Sequence, residues 1–279
     1  MKRILFPVLA ALALIALLAG AAFAQSNDDA GQGPLDPSQP KNISVDQIIQ
    51  KFAAKEADFK QARENYTYRQ TVKIQTLDGD TVDGEYQQVS DILFDERGRR
   101  TENVVFAPQS TLRKVSMSPQ DEEDIRKTMP FVLTSQEIPD YSINYVGQQR
   151  VDELDTFVFD VSPRRMEKDR RYFEGRIWVD RQDLQIVMTH GKPVPDVRGK
   201  NNENLFPKFT TWREQVDGRY WFPTYTRADD YLQFKSGPVH IREVIKYTDY
   251  KRFGSNTKIT YEGQEVEKKP EGQPQQPPK

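Results

Sequence analysis

Side chains able to do chemistry are few and scattered in this sequence. Histidine occurs twice in 279 residues, as His190 and His240, and cysteine is absent. A metal held by histidines needs them at short fixed spacings such as H-x-x-x-H or H-E-x-x-H, and neither pattern occurs. Each histidine therefore reads as a partly exposed strand residue without a catalytic role. The carboxylate pairs Glu122-Glu123 and Asp229-Asp230 suit acid/base work only if both acids reach one substrate, and neighbours on a strand point to opposite faces. There is no G-x-S-x-G elbow, no phosphate-cradling glycine loop and no S-x-x-K set with its partner motifs. The reading is of a chain that is no enzyme and has no cofactor. What it has in quantity is aromatic surface, with 12 Tyr, 15 Phe and 3 Trp.

The elements that must position those aromatics are mostly strands. In Tyr172 to Pro195 (YFEGRIWVDRQDLQIVMTHGKPVP), Phe173, Gly175, Ile177 and Val179 fall on alternate positions, with Glu174, Arg176 and Trp178 between them. Leu184, Ile186 and Met188 resume the alternation after Asp180-Arg181-Gln182-Asp183. Two period-two runs around a short polar break predict a β-hairpin with one buried face. Similar patterns predict strands at Tyr66 to Ile74, Tyr86 to Phe94, Thr101 to Ala107, Tyr141 to Val151, Leu154 to Ser162, Phe206 to Val216, Arg219 to Leu232 and Pro238 to Phe253. Turn signals such as Gly79, Arg97-Gly98 and Asp217-Gly218 separate them.

Two helices interrupt the strands. Ser44-Val45-Asp46-Gln47 is a capping-box pattern, followed by Ile48, Ile49, Phe52, Ala53 and Phe59 at helical spacing up to about Arg63. Ser118-Pro119 followed by acids starts a second helix, which Met129-Pro130 stops. With only Ile125 and Met129 apolar, this second helix is expected over a sheet edge or a barrel mouth, not in the core. The predicted class is mainly β (α+β), a half-open antiparallel β-barrel of about ten strands with helices covering its concave side.

The chain ends differ in composition from the body. Met1 to Ala24 has a basic start, an apolar run and an Ala22-Phe23-Ala24 exit, the pattern of a secretory signal peptide cleaved after Ala24. The competing reading is an uncleaved anchor, because the run is nearly long enough to span a bilayer. Residues 25–41 and 263–279 are rich in Pro, Gln, Gly and charged residues and are predicted to be disordered, leaving 42–262 as one domain. Cleavage would leave no stable transmembrane span and place the body in the periplasm or outside the cell. Loss of Lys2 and Arg3 takes the formal charge from −2 to −4, which argues against nucleic acid as a partner. The loop Pro163 to Arg171 (PRRMEKDRR) carries five basic residues and is predicted to be a solvated hairpin tip, the alternative being contact with an anionic head group or partner.

The aromatic load admits two readings: a well-filled core with cross-strand aromatic pairs, or a curled sheet with an apolar cavity for an acyl chain. In the cavity reading the lining is drawn from Tyr68, Val72, Ile92, Phe94, Phe157, Phe159, Ile177, Val179, Ile186, Met188 and Phe222.

The run FEGRIWVDRQDLQIV, together with the signal segment, the amphipathic first helix and the long meander, resembles the outer-membrane lipoprotein-sorting family of LolA, LolB and RseB type. Ile177, Trp178, Val179 and Asp180, with Ile186 and Val187 after the turn, are the matching positions, and FPKFTTWREQVDGRYWFP (206–223) resembles the later hairpin. The match is specific over some thirty residues and architectural over the rest. The loop Asp196 to Leu205 is additional, and the absent cysteine removes the lipid anchor of a LolB-like acceptor. The resemblance implies a half-barrel with a hydrophobic interior, acting as a non-catalytic carrier of a lipid or an acylated lipoprotein. An envelope interaction or stress-sensor module, docking an envelope protein with the same fold, is the alternative.

Overall fold

The structure is a computed structural model, and it describes residues 32–253 apart from 96, 128, 169 and 200–202. The expected signal peptide over 1–24 and the tail over 263–279 lie outside the described residues.

In chain order the elements are β1 (Gln32–Asp36), α1 (Val45–Ala62), β2 (Tyr66–Asp78), β3 (Thr81–Phe94), β4 (Arg100–Phe106), α2 (Pro119–Lys127), β5 (Tyr141–Val151), β6 (Leu154–Pro163), β7 (Tyr172–Asp180) and β8 (Ile186–Val194). They continue with β9 (Val197–Arg198), β10 (Glu203–Asn204), β11 (Phe209–Val216), β12 (Tyr220–Phe234) and β13 (Gly237–Arg252). Eleven strands form one antiparallel sheet in the order β1-β5-β6-β7-β8-β11-β12-β13-β2-β3-β4, and β9 pairs with β10 apart from it. The sheet is not closed, and β1 and β4 are its edges.

Most neighbours in the sheet are consecutive in sequence, because short turns with left-handed residues join them. Asp217 (φ 56) and Gly218 (φ 70) make the turn between β11 and β12, where both central residues need positive φ. Besides β1 against β5, with Gln32 opposite Arg150, the long-range join is β13 against β2, from His240 opposite Leu77 to Arg252 opposite Tyr66. It fastens the N-terminal meander to the C-terminal one.

The register defines an inner face, the one that carries α1. One row of directly opposed residues crosses it as Phe159, Ile177, Thr189, Thr211, Thr226, Ile245, Val72 and Gln88. The next row runs Gly191, Phe209, Ala228, Glu243, Ile74 and Tyr86. Gly175 and Gly191 oppose each other, and a Cβ on Gly191 would lie 2.8 Å from the Phe173 ring, so glycine lets that ring lie flat on the strand.

Helix α1 is fixed by the expected capping box, with Gln47 N donating to Ser44 Oγ (3.2 Å) and Ser44 N donating to Gln47 Oε1 (3.1 Å). Its buried stripe of Ile48, Phe52, Ala53, Glu56 and Phe59 faces the sheet, and the Phe52 ring lies 5.6 Å from that of Phe159.

Several expectations are corrected. Gln32–Asp36, inside the segment read as disordered, pairs with β5. Edge pairing uses backbone groups, which composition does not report. Helix α2 is not excluded from the core, since Ile125 (5 % exposed) and Met129 (0 %) belong to it. A charged helix can lie against a sheet if one narrow stripe is apolar. In the loop 163–171, Arg164 and Arg165 are exposed, but the Arg171 side chain is 11 % exposed and pairs with the buried Asp124 at 3.4 Å. Trp178, read as a between-stripe position, is fully buried and donates from Nε1 to Gln149 Oε1 (2.8 Å).

Candidate functional site

A cavity of about 710 Å³ lies between the end of α1, the far end of α2 and strands β2, β4, β12 and β13. Its walls are aromatic. Phe59, on the last turn of α1, meets Phe222 edge-on at 5.1 Å; Tyr68 stacks on Tyr250 at 5.1 Å; Phe131 stacks on Phe173 at 4.3 Å. Offset and edge-on contacts of this kind hold rings in place and leave their outer faces available.

Charged groups ring the aromatic walls. Most are paired: Lys60 with Glu137 (3.2 Å), Arg100 with Glu102 (2.9 Å), Arg126 with Glu123 (3.2 Å) and Arg170 with Asp140 (2.8 Å). Arg63 also lines the cavity; its guanidinium makes no ion pair or side-chain hydrogen bond within contact distance among the described residues, though the charges of Glu56 and Glu64 act on it from farther off. Burial pulls its pKa below the ordinary arginine value. A desolvated cation of this kind is stabilised by any anion that enters.

The cavity is held open by a buried pair behind it. Arg213 Nη1 on β11 donates to Glu56 Oε1 (3.0 Å) and Oε2 (3.1 Å) on α1, and both side chains are 1 % exposed. The same guanidinium donates to the carbonyl of Phe131, and the Ile186 amide donates to Glu56 Oε1 at 3.4 Å. Burial raises the Glu56 pKa, and Arg213 opposes that rise. One ion pair thus fixes α1, β8, β11 and the 131 segment together, setting where Phe59 and Phe131 stand.

A second cavity, of about 330 Å³, lies at the other end of α2, lined by Ile74, Leu112, Met117, Phe206, Leu232 and Ile241 among others. Glu243, 2 % exposed, lines it from the inner face, and its Oε1 has no hydrogen-bond partner. Burial, with the charge of Asp121 adding to it, pushes the Glu243 pKa up to about 8. Asp121 itself is engaged, accepting from Ser118 N (2.7 Å) and from Asn204 Nδ2 (2.5 Å).

Of the residues predicted to line a cavity, the structure brings Tyr68, Phe94 and Phe222 together at the larger one. Phe157, Phe159, Ile177, Val179 and Ile186 lie in the packed core under α1, and Ile92 is fully buried. Val72 lines only a 30 Å³ pocket between the two cavities, beneath Ile125 and Arg126. Met188 opposes Trp178, because a bulge at Trp178/Val179 shifts the alternation by one. Of the charged residues at the larger cavity, Arg170 and Arg171 belong to a segment that the sequence singles out, the basic loop 163–171. For Glu243 a signal existed, since it breaks the otherwise apolar alternation Val239, Ile241, Ile245, Tyr247.

The histidines lie apart. His190 Nδ1 is 2.9 Å from Thr210 Oγ1, while His240 stacks on Tyr231 and sits 2.6 Å from Asp229. Among the described residues no group of three or more His, Cys, Asp or Glu is placed to hold a metal. No described helix is long and apolar enough to cross a membrane.

No protein-family model and no curated protein matches the chain. Its neighbours among solved structures include a DUF1329 family protein from Desulfovibrio piger, at 14 % identity and TM-score 0.38, covering 80 % of this chain and 95 % of the other. A putative outer membrane lipoprotein-sorting protein domain from Vibrio parahaemolyticus is 13 % identical with TM-score 0.34, covering 73 % and 93 %. The MucA/MucB complex of Pseudomonas aeruginosa is similar at 13 % identity and TM-score 0.22, covering 72 % and 100 %. At these values the overlaps carry no functional argument.

Proposed function

We propose that this chain is an exported, non-catalytic carrier that shields a lipid or an acylated lipoprotein. The observation that carries the reading is the 710 Å³ cavity with aromatic walls and the unpaired Arg63 at its lining. That size falls within the range of ligand sites, which combine apolar walls with a few placed polar groups. An acyl chain of a dozen methylenes gains about 0.8 kcal/mol for each one buried, enough for useful affinity without any bond-making step. In this reading the open sheet is a half-barrel, α1 and α2 are the cover over its inner face, and Arg63 meets the anionic head of the ligand. Cleavage after Ala24 delivers the body to the periplasm or the exterior.

Extraction of protein purified from its native host, followed by mass spectrometry, is expected to yield co-purified lipid, and the protein is expected to bind a fluorescent fatty acid. Ligand-free preparations that also ignore the probe would remove the carrier reading. A second reading, a docking module for an envelope protein, draws on edge strand β4, where Val104, Val105 and Phe106 are 50 %, 53 % and 51 % exposed. An unpaired apolar edge is a template for strand addition. Capture of a partner that is lost on Val104→Lys, with no probe binding, would favour it.

A further inference from the structure

The smaller cavity has a different chemistry from the larger one. Its walls are mainly aliphatic and aromatic, yet two carboxylate side chains line it, each with one buried oxygen that has no hydrogen-bond partner. Glu243 arrives from β13, opposite Ala228 on one side and Ile74 on the other, so the register forces its side chain onto the inner face. Its Oε1 is buried and unpartnered, and so is Oε1 of Glu203, whose other oxygen accepts from the Lys235 amide at 2.9 Å. Asp121 from α2 is the third acid at the lining, engaged by Ser118 and by the Asn204 side chain, and Lys114 is the cation there.

A carboxyl buried without donors costs free energy unless something supplies them, and an ammonium supplies three together with the opposite charge. A hydroxyl supplies one donor and no charge. A carboxylate supplies neither and would meet two acids. We propose that this second cavity is a binding site for the ammonium group of an apolar amine, with Glu243 as the principal acceptor, Glu203 as the second, and the chain of the amine against Leu112, Phe206 and Leu232. The site is separate from the larger cavity, so its failure would leave the carrier reading untouched.

The proposal fixes a pH dependence. Free Glu243 holds its proton up to about pH 8, and pairing with an ammonium requires that proton to leave. Affinity for the amine therefore rises with pH, roughly tenfold per unit below the carboxyl's pKa, and levels off above it. Asp121, Glu203 and Lys114 are the other charged groups lining the site: the two acids add to its preference for a cation, and Lys114 opposes it.

The test uses n-octylamine, n-octanol and sodium octanoate on the wild-type protein carrying 13C-methyl methionine. Met117 lines this cavity, whereas Met188 lies elsewhere and reports the fold. The expected result is that octylammonium moves the Met117 methyl signal and leaves Met188 in place, binding at least about tenfold tighter than octanol. Glu243→Gln should weaken the amine about tenfold or more and abolish the rise with pH, while octanol binding stays the same. Equal binding of amine and alcohol, preference for octanoate, an unmoved Met117 signal or full affinity in Glu243→Gln would each overturn the proposal. The amine-to-alcohol comparison needs no variant, so a fold defect in Glu243→Gln would not shelter it.

Discussion

The inner face of the sheet is built in two ways. Across β6, β7 and β8 it presents Phe157, Phe159, Ile177, Val179 and Ile186, all buried in the core beneath the stripe of α1. Across β13, β2 and β3 the rows mix the core residues Ile245, Val72 and Ile74 with Glu243, Gln70, Gln88 and Ser90, and with Tyr86 and Tyr247. The first half is packed beneath α1, and both cavities described above are lined from the second half, the larger one reaching across to Phe173 on β7. The difference follows from the helices: α1 sends Phe52 into the apolar half, whereas the nine-residue α2 has one narrow apolar stripe and fills the space on neither side of it. An apolar stripe in sequence thus marks where a partner helix packs tightly, and a mixed stripe marks where it does not.

That contrast can be broken most severely at its hinge. Arg213→Met strands Glu56 in the core and is expected to cost about 3–5 kcal/mol in chemical denaturation; a loss under 1 kcal/mol would show that the pair does not fasten the filled half to the segment at Phe131. Next in size is a pH effect confined to the hollow half. The Glu243 pKa is raised from 4.5 to about 8 in the folded chain, so the folded state binds more protons than the unfolded one across that window. Stability should therefore fall as pH rises from 4.5 to about 8, by a few kcal/mol on the order of the shift, and Glu243→Gln should flatten the curve measured by thermal melting.

A smaller effect is expected from Arg63→Ala, which should weaken binding of a fluorescent fatty acid about tenfold while stability stays within about 1 kcal/mol of wild type. Unchanged probe affinity would detach Arg63 from the larger cavity's role. The smallest changes compare the two helix caps. Ser44→Ala and Ser118→Ala should each cost about 1 kcal/mol, but only Ser118→Ala, which loosens the helix between the cavities, should alter ligand affinity. Equal effects on binding would mean that the two helices cover the sheet in the same manner.

Local patterns made most of the fold legible. The Ser44 capping box, the hairpin from Tyr172 and the Asp217-Gly218 turn depend on residues a few positions apart, and each is found where the pattern placed it. Cavity lining was legible only in part. Tyr68, Phe94 and Phe222 reach the larger cavity, but Phe157, Phe159 and Ile177 look the same in sequence and are covered, because Phe52 lies more than a hundred residues away and its position is set by the fold. Arg171 and Asp124 were equally hidden: each sits in a charged run, and only packing desolvates them.

By itself the sequence determined most of the strands, their turns, the two helices and, away from bulges such as that at Trp178/Val179, the side of a strand that turns inward, since periods of 2 and 3.6 and the conformational limits of glycine, proline and capping residues act over short distances. Only the tertiary structure decided which inward positions are filled, which are hollow and which charges lose their water. Those outcomes depend on pairing β13 with β2 and on two helices of unequal apolar width, contacts between distant segments that no local pattern encodes.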